Sequence, residues 1–147
     1  ENCIFNYNYA RVGGGGYWLS EGNTENLINC TFYRNSASHN PNYSIISYGD
    51  LDIINCIVSR GALIGSVNNK FYSMNSVYSL IQEATNCAGP GNKVGDPLFI
   101  DPENSNFTLE PSSPAINSGH PANQYKDSNG SRNDMGAYGG PYGNSWD

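Results

Sequence analysis

Basic residues are scarce in this 147-residue chain: seven Lys and Arg stand against thirteen Asp and Glu, for a net charge of −6. That balance offers no electrostatic footprint for nucleic acid or for an anionic lipid surface. Long apolar runs are missing as well, none approaching the roughly 18 residues of a membrane-spanning helix. Histidine is limited to His39 and His120, and the four cysteines show no Cys-x-x-Cys spacing, which argues against zinc. Residues 13–16 are four glycines in series, but neither a Lys-Ser/Thr pair nor a helical segment follows them, so they read as a bend between strands and not as a phosphate cradle. No signal peptide is visible, and the chain opens on Glu1-Asn2-Cys3, already inside a repeated motif. Such an opening reads as a mature product, a proteolytic remnant or an excised piece of a longer chain.

Charged residues make up 14 % and hydrophobic residues 37 %, and the difference is filled by 22 Asn, 17 Gly and many Ser and Tyr. Residues of this kind favour turns and tolerate left-handed backbone. Their arrangement is periodic. Asn2-Cys3-Ile4-Phe5, Asn29-Cys30-Thr31-Phe32 and Asn55-Cys56-Ile57-Val58 place cysteine at 3, 30 and 56, steps of 27 and 26 residues, and Asn75-Ser76-Val77-Tyr78 reads as a weaker fourth copy. Polar and apolar residues alternate within each copy, with Ile28, Cys30 and Phe32 expected on one face and Asn29 and Thr31 on the other. A strand recurring every 20 to 27 residues, with turns between and no helical period, predicts a parallel β-helix of about four rungs. Residues 1–86 are expected to form the rungs. Residues 87–147, where the period is lost, are expected to form an irregular cap and tail, with Leu98, Phe99, Phe107, Leu109 and Ile116 lying across one open end of the coil.

The copies Phe5-Asn6-Tyr7-Asn8 and Phe32-Tyr33-Arg34-Asn35 resemble the Phe-x-x-Asn repeat of polymorphic outer membrane proteins, and residues 13–19 resemble their Gly-Gly-apolar companion. A second resemblance covers the end of the chain. Gly95-Asp96-Pro97-Leu98-Phe99-Ile100-Asp101-Pro102, then Leu109-Glu110-Pro111-Ser112-Ser113-Pro114-Ala115-Ile116-Asn117-Ser118-Gly119, then Asp134-Met135-Gly136-Ala137-Tyr138-Gly139-Gly140-Pro141 are similar to the C-terminal region of secreted bacterial β-helix proteins. These resemblances imply the all-β, right-handed, pectate-lyase-like parallel β-helix and an extracellular or cell-surface location. They imply no activity, because the fold hosts both enzymes and surface proteins.

Several residues merit a functional reading beside a structural one. Cys3, Cys30 and Cys56 are expected to form a buried stack of free thiols, because aligned side chains of a parallel ladder point the same way; a bridge is the other reading, and Cys87 stands outside the repeat. Asn2, Asn29 and Asn55, and separately Asn8 and Asn35, recur at matching positions, as an amide ladder along the stack would require. Tyr7, Tyr17, Trp18 and Tyr33 could stack on sugar rings of a polysaccharide or pack as aromatic columns between rungs. Asp127, Asn129 and Asp134 space oxygen-bearing side chains around Gly130 as a calcium loop does, without the twelfth-position glutamate of an EF-hand; an Asx-rich turn that needs no ion is the other reading, and no other cofactor is expected. The outward charges Asp50, Asp52, Arg60, Lys70 and Glu83 are scattered and match no lyase or hydrolase motif. The function expected from all this is a non-catalytic structural module of an extracellular or surface protein, self-assembling by axial stacking into filaments. The alternatives are the C-terminal part of a polysaccharide lyase or glycoside hydrolase, or a carbohydrate-binding surface.

Overall fold

In the computed structural model, which describes residues 1–38, 43–65, 74–84 and 88–143, the chain is all-β with two single turns of 3-10 helix. The strands appear in sets that follow the sequence copies. The first set is β1 (Ile4–Asn6), β2 (Tyr9–Ala10) and β3 (Tyr17–Leu19); the second is β4 (Thr24–Ile28), β5 (Thr31–Tyr33), β6 (Ser36–Ala37) and β7 (Tyr43–Ser47). The third is β8 (Asp50–Ile54), β9 (Ile57–Ser59) and β10 (Ala62–Gly65), and β11 (Met74–Val77) and β12 (Leu80–Ile81) follow. Equivalent strands pair in parallel, giving one sheet in the order β1-β5-β9-β12, a second β10-β7-β3, a third β11-β8-β4, and the short pair β2-β6. An antiparallel pair, β13 (Phe99–Asp101) and β14 (Asn106–Leu109), lies in the C-terminal segment.

The corners explain why strands of two to five residues suffice. Asn2, Asn29 and Asn55 have φ of 51°, 50° and 55°, and Tyr78 has 49°. Asparagine accepts this left-handed conformation more readily than most residues, so one residue turns the chain between the third sheet and the first. The hydrogen-bond ladder continues through the turn, with Asn2 N–H donating to Ile28 O (3.0 Å) and Asn29 N–H to Ile54 O (3.0 Å). A second left-handed column, Tyr7, Arg34 and Arg60 (φ 54°, 49° and 53°), follows the first sheet. At the glycine bend, a Cβ on Gly15 would fall 2.3 Å from the Ser36 amide nitrogen, so only glycine lets these backbones approach.

Because Asn29 turns the chain, the alternation expected across it is broken. Leu27, Cys30 and Phe32 enter the buried interior with Leu19, Ile45, Leu51, Ile53, Cys56, Val58 and Ile81, whereas Ile28 and Ile54 are only half-buried and stay outside it. The fourth copy also shifts. Leu80 pairs with Ile57 and Ile81 with Val58, so Tyr78-Ser79-Leu80-Ile81 is the true equivalent of Asn55-Cys56-Ile57-Val58, and Asn75 pairs with Asp52 instead. Serine in the cysteine position hides this register in the sequence. Ser79 Oγ accepts from Cys56 N–H (3.0 Å) just as Cys56 Sγ accepts from Cys30 N–H (3.4 Å).

The C-terminal segment departs most from expectation. Residues 90–93 do cover one end of the first sheet: Lys93 bridges Leu80 in parallel, and Ile81 N–H donates to Lys93 O (3.0 Å). Phe99 and Phe107, however, do not lie across an end. They pack with Ala115 and Met135 on the outer face of the first sheet, against Tyr33, Ile57 and Leu80, forming a second buried cluster. The outward Tyr33, Ile57 and Leu80 of β5, β9 and β12 are large and apolar, so this face needs a cover along its length. The segment acts as a strap, and β5, β9 and β12 are buried on both sides, with β1 half-buried at the edge. Among the described residues no helix is long and apolar enough to cross a membrane.

Candidate functional site

The repeated amides serve the strap more than one another. Asn55 Nδ2 donates to Asn29 Oδ1 (3.3 Å), the one link within that column, while Asn55 Oδ1 accepts from His120 N–H (2.6 Å). Asn29 Nδ2 reaches the carbonyls of Asp134 and Gly136 (3.3 Å each), and Asn2 Nδ2 those of Ala137 and Gly139 (2.8 Å each). Asn8 and Asn35 do join along the stack, Asn35 Oδ1 accepting from Asn8 N–H (3.0 Å) and Nδ2 (2.9 Å). These three thiols are free: Cys30 and Cys56 are buried, and Cys3 is exposed. Its exposure corrects the fully buried stack expected from the sequence. The contact with the Cys56 sulfur lowers the Cys30 thiol from its ordinary value, and burial pushes the Cys56 thiol up. Cys87 and Lys70 lie outside the described residues.

The four aromatic residues read as a sugar surface divide between two places. Tyr17 packs against the interior, and Trp18, 61 % exposed on the second sheet, meets the edge of Tyr48 at 6.3 Å. Tyr7 and Tyr33 come together, their rings 5.7 Å apart, at the margin between the first sheet and the strap. Between them sits a clasp. Glu103, in the 3-10 turn Pro102–Asn104, accepts from Tyr7 Oη (2.5 Å) and Tyr33 Oη (2.9 Å), and pairs with the Arg34 guanidinium at 2.8 Å. Arg34 in turn lies over both rings, at 5.6 and 5.5 Å. The Tyr7 hydroxyl, with Tyr33 and Arg34, holds the Glu103 carboxyl below its ordinary range; burial, with the Glu103 acceptor second, pushes Tyr33 up to about 12.

Beside the clasp a cleft of about 280 Å³ opens between sheet and strap. Tyr33 and Phe99 line its buried side, Ser59, Arg60 and Gln82 one wall, and Asp96, Pro102 and Glu110 the other. Ser59 Oγ donates to Gln82 Oε1, and Asp96 Oδ1 accepts from Leu98 N–H (2.9 Å). The guanidinium of Arg60 and the carboxylate of Glu110 make no hydrogen bond or ion pair among the described residues. From the sequence Arg60 reads only as scattered charge, and Gln82 and Glu110 carry no signal of a site. One signal was present: Arg34 and Arg60 fall at the same position of successive copies, which stacks them on one edge.

Asp127 and its neighbours form a loop closed on itself. Asp127 Oδ1 accepts from the N–H of Gly140 (2.7 Å) and Asp134 (3.2 Å), and its Oδ2 from Ser131 Oγ (3.0 Å). Asn129 Oδ1 accepts from Ser131 N–H (2.8 Å), and Asp134 Oδ1 from Asn117 N–H (2.6 Å), burial raising the Asp134 carboxyl above its usual value. These bonds close the segment as an Asx-rich turn. Among the described residues no group of three or more His, Cys, Asp or Glu is placed to hold a metal.

No family model, curated protein or solved structure matches this chain.

Proposed function

We propose that the parallel sheets are those of a right-handed parallel β-helix of about four rungs, and that the chain is a non-catalytic structural module of an extracellular or cell-surface protein, joined through one end to further strands of the same kind. One observation carries this reading. β1, β3 and β4 each pair on one side only among the described residues, with β5, β7 and β8 respectively, so three sheets present open edges toward the same end. The interior is open there too: the half-buried Phe5 ring stacks flat on Phe32 at 4.7 Å with no ring stacked beyond it among the described residues. Unpaired edges around an apolar centre accept another strand layer with a gain in both hydrogen bonding and burial. A second copy supplies such a layer, and its repetition gives a filament.

The test is electron microscopy and sedimentation of the chain at several dilutions, with Phe5→Glu as the control. Filaments or concentration-dependent oligomers that Phe5→Glu abolishes support the assembly role. Discrete monomers at every concentration overturn end-to-end association.

A further inference from the structure

The cleft beside the clasp carries an inference independent of assembly. Its hydrogen-bonding groups divide by sign across the opening. On the sheet side Arg60 presents a guanidinium with no hydrogen bond or ion pair of its own, and Gln82 contributes a carboxamide whose Nε2 donates to nothing among the described residues. On the strap side Glu110 presents an unengaged carboxylate, and Asp96 has one oxygen beyond the one held by Leu98 N–H. Donors therefore face acceptors across a cleft of about 280 Å³ with Tyr33 and Phe99 buried behind it. The clasp pairs Glu103 with Arg34, and Arg60 also lies close enough to act on Glu103, so the cleft holds one cation against the carboxylates of Glu110 and Asp96, with Glu83 bound to the amides of Arg60 and Gly61.

We infer that this cleft binds a small zwitterion, a ligand the size of a free amino acid with one carboxylate and one or two cationic nitrogens. Its carboxylate meets Arg60 and Gln82, where a guanidinium offers a paired donor fork. Its nitrogens meet Glu110 and Asp96, and its aliphatic part lies along Tyr33, Phe99 and Pro102. A ligand with two cationic groups neutralises the cleft more fully than one with a single ammonium, so a basic amino acid binds better than a neutral one. A neutral sugar leaves the opposed charges unmatched, and a uronate adds a further negative charge to a site already in excess of it.

The experiment is a titration of the full chain, followed by calorimetry and by amide chemical shifts, with L-arginine, glycine, D-glucuronate and D-glucose as probes. L-arginine is expected to saturate in the millimolar range, shifting the amides of Ser59, Arg60, Gln82 and Glu110, ahead of glycine and with no saturable response to either sugar. Arg60→Ala and Glu110→Gln, both at exposed positions, are each expected to weaken L-arginine by about tenfold. The inference is overturned if no zwitterion gives a saturable response, if L-arginine binding persists unchanged in both variants, or if glucuronate or glucose binds as well as L-arginine.

Discussion

The two buried clusters of this molecule are made of similar side chains but held in different ways. In the interior, Phe32, Ile45, Ile53 and Val58 sit between strands that repeat, and each strand is fixed by backbone bonds to an equivalent strand. In the outer cluster, Tyr33 and Ile57 of the sheet meet Phe107 and Met135 of a strap with a single antiparallel strand pair, and the polar links between sheet and strap run mainly through side chains. The first arrangement is cooperative by construction, because moving one strand disturbs its neighbours. The second depends on a few anchors, so it can open locally while the sheets persist.

The sharpest way to break this contrast is a pair of truncations. Phe32→Ala and Phe107→Ala each remove a fully buried ring, and each is expected to cost about 3 to 5 kcal/mol. Phe32→Ala should lower the urea midpoint of the whole chain in one transition, whereas Phe107→Ala should release residues 96–143 to proteolysis before the sheets unfold. Coincident loss of both regions in Phe107→Ala would show the two clusters to be one cooperative unit.

Asn55 joins the clusters, since its side chain accepts from His120 N–H and donates to Asn29 while its backbone is left-handed. Asn55→Ala leaves His120 N–H without its acceptor and Asn29 Oδ1 without one of its donors, and strains the corner, at a cost of about 2 to 4 kcal/mol. Asn55→Gly keeps the backbone and should recover about 1 kcal/mol of that, by urea denaturation. Equal losses in the two variants would mean the left-handed corner contributes nothing separable.

Glu103→Gln is expected to leave the sheets intact while increasing amide exchange in residues 101–106. Acid should act the same way. The folded carboxyl titrates below its unfolded value, so the clasp is fully formed above the ordinary glutamate range and is lost as pH falls through the lowered value of Glu103. Exchange in that turn that is indifferent to pH between about 6 and 3 would remove the clasp from the account. The smallest effect belongs to Cys3→Ser, expected within about 0.5 kcal/mol of the parent. In the native protein a thiol reagent should label Cys3 quickly and Cys30 and Cys56 only on unfolding.

The interior was readable because its signal is doubled: apolar alternation inside each copy, and recurrence of Asn-Cys at steps of 27 and 26 residues. The strap was not, because nothing in Phe99, Phe107 or Met135 distinguishes residues that close an end from residues that cover a side. The deciding fact lay elsewhere, in the apolar outward positions Tyr33, Ile57 and Leu80, whose direction follows only once Asn29 and Asn55 are known to turn the chain. Of the candidate site, Tyr7 and Tyr33 were named for their rings, yet their partner Glu103 lies 96 and 70 residues away and no local pattern announces it. Tyr17 and Trp18 were grouped with them by residue type alone, and the sheet order separates the pairs.

The strap touches Asn2, Asn29 and Asn55 in turn, through atoms spaced to suit three successive strands. It is therefore a ruler laid against the stack. A copy inserted between Asn29 and Asn55 would carry the acceptor of His120 away by about 4.8 Å and misalign every anchor beyond it. A copy added outside β1 would disturb none of them. The three anchors thus fix how many copies lie beneath the strap.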